Sequence, residues 1–381
     1  MGRRKLLIVT SAFLWAAAWM QAQNSFIFPP EGDPHAFANV QPDSHASTLV
    51  ELRNGDILVA YFSGPWEGDS HVKIYGARLH QGSWSEPFEL ARTKGVACWN
   101  PVLFHTQDGK LWLYYKTGTH PSTWTGLRKV STDEGQTWSS AEALPEGILG
   151  PVKDKPFILS NGTIISGSSV EHGSWDVWIE RSSDGGKSWT KAGPITLNET
   201  EDQPDAEFLA ANQRAPDGPD AAVKTKLYVP ASKTVGIIQP TIVELAPHHL
   251  RLFARSKSRA ARIAVADSMD DGKNWTQARF LALPNPNSGL DAVRLRDGRI
   301  VLIYNHSTNA RTPLVLAVSR DGEHFMRFRT LEDGPGQYSY PAIVQAANGD
   351  LLMTYSWRRK TIKFVRLPLS DVPAVALPQQ N

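Results

Sequence analysis

Cationic, carboxylate and aromatic side chains fall into six groups along the 381-residue chain. They are Asp43, His45, Glu67 and Asp69; Trp99, Asn100 and Lys116; Lys153, Asp154, Lys155, Glu171 and Trp175; Gln239, Arg255 and Arg259; Asn285, Asn287, Asp291, Asn305, His306 and Arg311; and Tyr338, Tyr340, Trp357, Arg358 and Arg359. Guanidinium and ammonium groups hold a carboxylate through charge-assisted bonds, and a Trp or Tyr face covers the apolar side of a sugar ring. Gathered into one pocket, these residue types suit an acidic sugar. Each group lies beside the first two strands of a hairpin, so the fold has to bring those strand ends together.

The hairpins are legible. Asn54-Gly55, Asp108-Gly109, Asn161-Gly162, Asp297-Gly298 and Asn348-Gly349 each separate two apolar runs, the pattern of a tight β-turn. Ile242 to Leu245, then Pro247-His248-His249, then Leu250 to Phe253 has the same shape without the glycine, which makes six hairpins. An aromatic residue closes each of the first five units: Trp84, Trp138, Trp189, Trp275 and Phe325. The sixth lacks one, so a strand from around Phe26 to Phe28 is expected to complete the last unit. Six four-stranded antiparallel blades of roughly 50 residues each account for the chain as an all-β, six-bladed β-propeller. The stretch from Leu197 to Leu227 reads as an insertion, and helix content should be very low.

A second repeat overlies the first. Ser131-Thr-Asp133-Glu-Gly135-Gln-Thr-Trp138 returns at Ser182 to Trp189 and at Ser268 to Trp275, and in shortened form at Ser319 to Phe325. The Asp accepts turn amide hydrogens, the Gly takes a positive φ, and the Trp plugs apolar space beneath. This S-x-D-x-G-x-S/T-W pattern resembles the Asp-box repeat of the sialidase superfamily, whose boxes are structural and lie away from the catalytic pocket. The resemblance covers residues 24–381.

The resemblance implies a retaining exo-glycosidase, a glycoside hydrolase that removes a terminal sialic acid, a related keto-acid sugar or a uronate. In that family three Arg grip the substrate carboxylate, a Tyr with a Glu behind it attacks the anomeric carbon, and an Asp is the acid/base. Tyr338 falls at the nucleophile position, Asp69 at the acid/base, and Arg255 and Arg311 at two of the carboxylate arginines. His45 stands where the first Arg belongs and Gln239 where the Glu belongs. Glu171 or Glu180 is a candidate substitute for that Glu. His45, Gln239, Asn100, Lys155 and Tyr340 join Arg255 and Arg311 as expected substrate-binding residues. Two other readings stay open: a uronate polysaccharide lyase, in which Tyr338 or His45 abstracts a proton, and a non-catalytic glycan-binding propeller.

Bulk composition narrows the rest. Arg3-Arg4-Lys5 before the apolar run Leu6 to Met20 reads as a signal peptide over residues 1–23, which implies a secreted or periplasmic protein with no membrane association after cleavage. Removing those three cations takes the formal charge from +2 to −1, so nothing in the composition argues for nucleic acid. Cys98 is the only cysteine, which rules out an intrachain disulfide. No spacing among His248-His249, Asp202, Asp205 or Asp267 to Asp271 matches a metal loop, and neither a metal nor another cofactor is implied. A closed ring is expected to be a monomer with a glycan as its partner.

Overall fold

In the computed structural model, residues 24–29, 42–172, 174–214 and 235–376 are described. The expected signal peptide and the second half of the expected insertion lie outside these residues. The Asn/Asp-Gly turns do fold the flanking apolar runs back on each other. Gly55, Gly109, Gly162, Gly298 and Gly349 all adopt positive φ there.

Six antiparallel sheets result, and each is a blade. Blade one holds β2 (Asp43–Glu51), β3 (Ile57–Gly64), β4 (Lys73–His80), β5 (Ser83–Trp84) and β6 (Phe88–Ala91). Blade two holds β7 (Cys98–His105), β8 (Leu111–Thr117), β9 (Thr125–Ser131) and β10 (Glu142–Ala143). Blade three holds β11 (Phe157–Ile158), β12 (Ile164–His172), β13 (Ser174–Ser182) and β14 (Thr190–Ile195). Blade four runs β15 (Gly236–Ala246), β16 (His249–Lys257), β17 (Arg262–Ser268) and β18 (Arg279–Pro284). Blade five runs β19 (Asp291–Arg294), β20 (Ile300–Asn305), β21 (Leu314–Ser319) and β22 (Met326–Glu332). Blade six joins β23 (Tyr338–Gln345), β24 (Leu351–Trp357) and β25 (Thr361–Leu367) to β1 (Asn24–Phe26), which pairs with β25 and closes the ring. The closing strand starts slightly earlier than the aromatic pattern suggests.

The core lies between blades. In β3 every residue is buried because its two faces meet different neighbours. Leu58, Ala60 and Phe62 pack toward blade two, and Ile57, Val59 and Tyr61 pack toward blade six. Side chains alternate with period two, so a strand covered on both faces reads as a continuous apolar run. Truncating one such residue, for example Leu58→Ala, costs about 2–5 kcal/mol.

The repeated boxes cap the third strands of blades two to five. In the first box Ser131 Oγ accepts from the Gly135 amide at 2.8 Å and donates to Asp133 Oδ1 at 2.7 Å. Asp133 also accepts from the Thr137 hydroxyl and amide, which push its carboxyl down to about 2. Ser182-Asp184 and Ser268-Asp270 repeat these bonds. The shortened fourth box keeps them and replaces the hydroxyl with His324, whose Nδ1 lies 2.8 Å from Asp321.

Candidate active site

Four of the six inner strands share an irregularity at the end away from the boxes. Register shifts fall between His45 and Thr48, Trp99 and Val102, Ile238 and Thr241, and Ser339 and Ala342. Within each shift one non-glycine residue has a left-handed backbone: Ala46 (φ 54), Asn100 (φ 37), Gln239 (φ 55) and Tyr340 (φ 53). Asn287 (φ 57) does the same just before β19. A bulge of this kind bends the strand and re-aims a side chain, and such backbone costs of order 1–3 kcal/mol. Three of the four residues precede a proline, Pro101, Pro240 or Pro341, whose missing N–H interrupts the ladder at that point. The bulges turn side chains from different blades toward one pocket.

Tyr340 is its centre. The Tyr340 hydroxyl oxygen accepts from Arg255 Nη1 at 2.9 Å and from Gln239 Nε2 at 3.0 Å. Gln239 Nε2 also donates to Glu171 Oε1 at 2.9 Å, while its Oε1 accepts from Arg255 Nη1 at 3.3 Å. A carboxylate on one side and a guanidinium on the other fix the orientation of that amide. Arg255 Nε donates to Asn287 Oδ1 at 2.6 Å, and the guanidinium lies 5.1 Å from the Trp175 ring centroid. Arg311 approaches the Tyr340 ring to 5.8 Å, and the His45 ring packs against it at 4.2 Å. His45 is oriented by Ser356, whose Oγ lies 2.8 Å from Nδ1.

The electrostatics follow from burial. Tyr340 and Arg255 are only 7% and 8% exposed. Desolvation raises the Tyr340 hydroxyl above its ordinary value, against the pull of Arg255. The Glu171 carboxyl is raised by desolvation as well, opposed by Arg255 and by the Gln239 bond. Glu67 adds to both shifts, so its charge reaches the pocket. At the mouth Arg359 grips Asp43 at 2.8 and 2.7 Å and Glu67 at 2.9 Å.

A family model described as BNR repeat-like domain matches residues 55–353. The chain belongs to the BNR repeat-like domain family. A protein of unknown function from Dyadobacter fermentans shares the fold with TM-score 0.68 and 14% identity, covering 91% of this chain and 98% of that one. The NanB sialidase of Streptococcus pneumoniae matches with TM-score 0.64 and 13% identity over 92% and 71% of the two chains. The intramolecular trans-sialidase of Ruminococcus gnavus matches with TM-score 0.62 and 13% identity over 89% and 97%. No curated protein matches the sequence. This BNR-repeat chain is therefore a sialidase-like propeller, and at these identities the likeness is one of fold.

Placed on that fold, the expected site residues separate. Arg255, Arg311, His45, Gln239, Glu171 and Tyr340 come together. Tyr338 does not join them: its hydroxyl donates to the Pro335 carbonyl at 3.2 Å, and its ring packs near Trp357 in the core between blades five and six. The bulge between Ser339 and Ala342 is the reason, since it turns the second tyrosine into the pocket in place of the first. Glu180 is spent on the Leu149 and Gly150 amides, which leaves Glu171 as the carboxylate beside Gln239. Lys155, just before β11 of blade three, reaches Asp291 of blade five, 2.9 Å from both carboxylate oxygens, and ties the two blades together. Asn100 is buried and its side chain makes no hydrogen bond among the described residues. Asp69 lies on the blade-one turn, where its Oδ1 meets the His71 amide and Nδ1, both at 2.8 Å; the amide bond first, and then the ring, lower its carboxyl. Among the described residues no group of three or more His, Cys, Asp or Glu is arranged to hold a metal ion.

The insertion also reaches the site. Its short helix α1 (Ala206–Ala211) starts at Asp205, which caps the Phe208 amide at 3.0 Å. Past the helix, Arg214 and Asn309 exchange two 2.9 Å bonds, and the Thr308 amide donates to the Asn212 carbonyl. Arg214 ion-pairs with Asp333 at 2.6 Å. The arm thus holds the segment leading to Arg311.

Proposed function

We propose that this protein is a retaining exo-glycosidase that releases a terminal acidic sugar, with Tyr340 as nucleophile. The observation that carries the reading is the Tyr340 hydroxyl, held by Arg255 and Gln239 on the pocket floor with Arg311 alongside. Two arginines from neighbouring blades suit a sugar carboxylate. A tyrosine suits an anomeric carbon that bears that carboxylate, because a neutral nucleophile avoids the repulsion an ionised one would meet.

In the first step Tyr340 Oη bonds to the anomeric carbon as the glycosidic C–O bond breaks. The leaving oxygen takes a proton from Asp69, and the Tyr340 proton passes to a pocket water. In the second step water attacks the same carbon, Asp69 accepts its proton, and the bond to Tyr340 breaks as its oxygen takes a proton back from the pocket water. Asp69 is our assignment over Glu67 because Glu67 is tied into the ion pair with Arg359 at 2.9 Å, whereas the Asp69 carboxylate is held by His71 of its own turn. Glu171 acts through Gln239: its carboxylate holds the amide that donates to Tyr340.

One observation favours a second reading. Both groups touching the Tyr340 oxygen are donors, which would hold a tyrosinate once formed against the desolvation that raises the hydroxyl, and Gln239 stands where a base would be. A tyrosinate beside Arg255 and His45 could take the proton next to a uronate carboxylate and eliminate the leaving oxygen.

A panel of aryl glycosides of sialic acid, other keto-acid sugars and uronates, run with wild type and Tyr340→Phe, tests the first reading. Turnover should fall by roughly 10³-fold or more in the variant. Unchanged turnover would remove Tyr340 from the mechanism. Ultraviolet absorbance rising on uronate polymers, with no aryl glycoside cleaved, would favour elimination.

A further inference from the structure

The blade-one turn that carries Asp69 is held firmly. The Asp69 amide donates to the Trp66 carbonyl at 3.1 Å, and the Glu67 amide donates to Asp43 Oδ2 at 2.9 Å. Gly68 rests on Trp99, so closely that a Cβ there would come within 3.2 Å of the indole. Trp99 is in turn anchored by its Nε1, which donates to the Gly118 carbonyl at 2.8 Å. This braced turn presents Trp66 to solvent at 63% exposure, while the other large exposed apolar side chains among the described residues are Val170, Met269 and Met326. Trp66 contributes little buried area to folding, and its flat apolar face is open on a turn whose next residue, Glu67, ion-pairs with Arg359 at 2.9 Å.

Resting on the glycosidase reading above, we propose that Trp66 is a stacking platform for the sugar on the leaving-group side of the bond that is cut. The geometry of the reaction leads there. Asp69 must touch the leaving oxygen, so the sugar attached to that oxygen lies against the turn Asp69 belongs to, and Trp66 opens that same turn. The pocket grips the terminal acidic sugar by charge, whereas Trp66 offers no charge and suits the apolar face of a neutral pyranose. The substrate class this implies is the acidic end of an oligosaccharide chain; a small glycoside would leave the platform empty.

The test offers the sugar identified by the aryl glycoside panel in two forms, as its aryl glycoside and as the terminal residue of a trisaccharide, to wild type, Trp66→Ala and Trp66→Phe. Trp66→Ala should lower kcat/KM on the trisaccharide by about tenfold through KM, leave the aryl glycoside within about twofold, and be largely rescued by Trp66→Phe. Equal losses on both substrates, or no loss on either, would overturn the platform while leaving the glycosidase reading intact. If wild type cleaves nothing, retention on an array of acidic oligosaccharides decides. Retention that weakens in Trp66→Ala supports the platform and sinks the glycosidase reading, and retention that is equal, or absent from wild type, overturns the platform too.

Discussion

The two ends of the propeller treat their polar groups in opposite ways. At the box end each Asp is satisfied inside its own turn: Ser131, Gln136 and Thr137 supply the donors to Asp133, all within a few residues. At the pocket end Tyr340 meets Gln239 and Arg255 across 101 and 85 residues of sequence. A self-contained turn forms wherever its sequence occurs and stabilises one blade. A pocket built from separate blades exists only when the ring has closed, so it reports on the whole fold. Local satisfaction gives stability, and satisfaction across blades gives a site.

The comparison is broken most severely by substitutions at the pocket centre. Tyr340→Phe removes one hydroxyl and should cost roughly 10³-fold or more in turnover on the panel, with a melting temperature close to wild type. Arg255→Lys keeps the charge but loses the planar set of donors that serves Asn287, Gln239 and Tyr340 together. Its expected cost is on the order of 10- to 100-fold in kcat/KM, carried mostly by KM, in the same assay. A substitution at the other end should invert the pattern. Ser182→Ala leaves the Gly186 amide and Asp184 short of a partner, which should cost about 1–2 kcal/mol in denaturant unfolding and leave kinetics unchanged. A large loss of activity there would mean the two ends are coupled.

Smaller effects sharpen the boundary. Arg214→Ala releases the arm from Asp333 while its main-chain bonds to Asn309 stay, and KM should rise by roughly twofold to fivefold with kcat preserved, while Arg214→Lys recovers part of it. The smallest effect is in pH dependence, where the two ends carry opposite signs. Asp133 has a lowered carboxyl, so the unfolded chain binds the extra proton, and its stabilisation is lost as pH falls from about 4 toward 2. Glu171 has a raised carboxyl, so the folded chain binds the proton, and stability declines as pH climbs above the ordinary carboxylate range. In a series of melting temperatures against pH, Asp133→Asn should flatten the acid limb and Glu171→Gln the limb above it.

What the sequence discloses follows the same division. Hairpin turns and boxes are encoded by neighbouring residues, so the six blades, their order and the strand that closes the ring can be counted from the chain. The insertion is visible as a break in that count, but its α1 arm and the docking of Arg214 on Asn309 are tertiary facts. The site is legible as a set of residue types and only partly as an assignment. Tyr338 and Tyr340 lie two apart on one strand, and strand periodicity alone puts both on the same face. The bulge that separates them has a signal in the pairs Asn100-Pro101, Gln239-Pro240 and Tyr340-Pro341. In each a polar or aromatic residue precedes a proline inside an inner strand, where the ladder has to break. Glu67, Trp175 and Asn287 belong to the same polar set, yet their roles depend on partners in other blades or at the pocket mouth, and no local pattern reveals them.

The most direct test of the central claim is covalent trapping. A fluorinated, activated glycosyl fluoride of the best panel sugar, incubated with the protein, digested and mapped by mass spectrometry, should leave one sugar on Tyr340. A label on Tyr338 or on another residue, or turnover of the reagent with no label at all, would contradict the account.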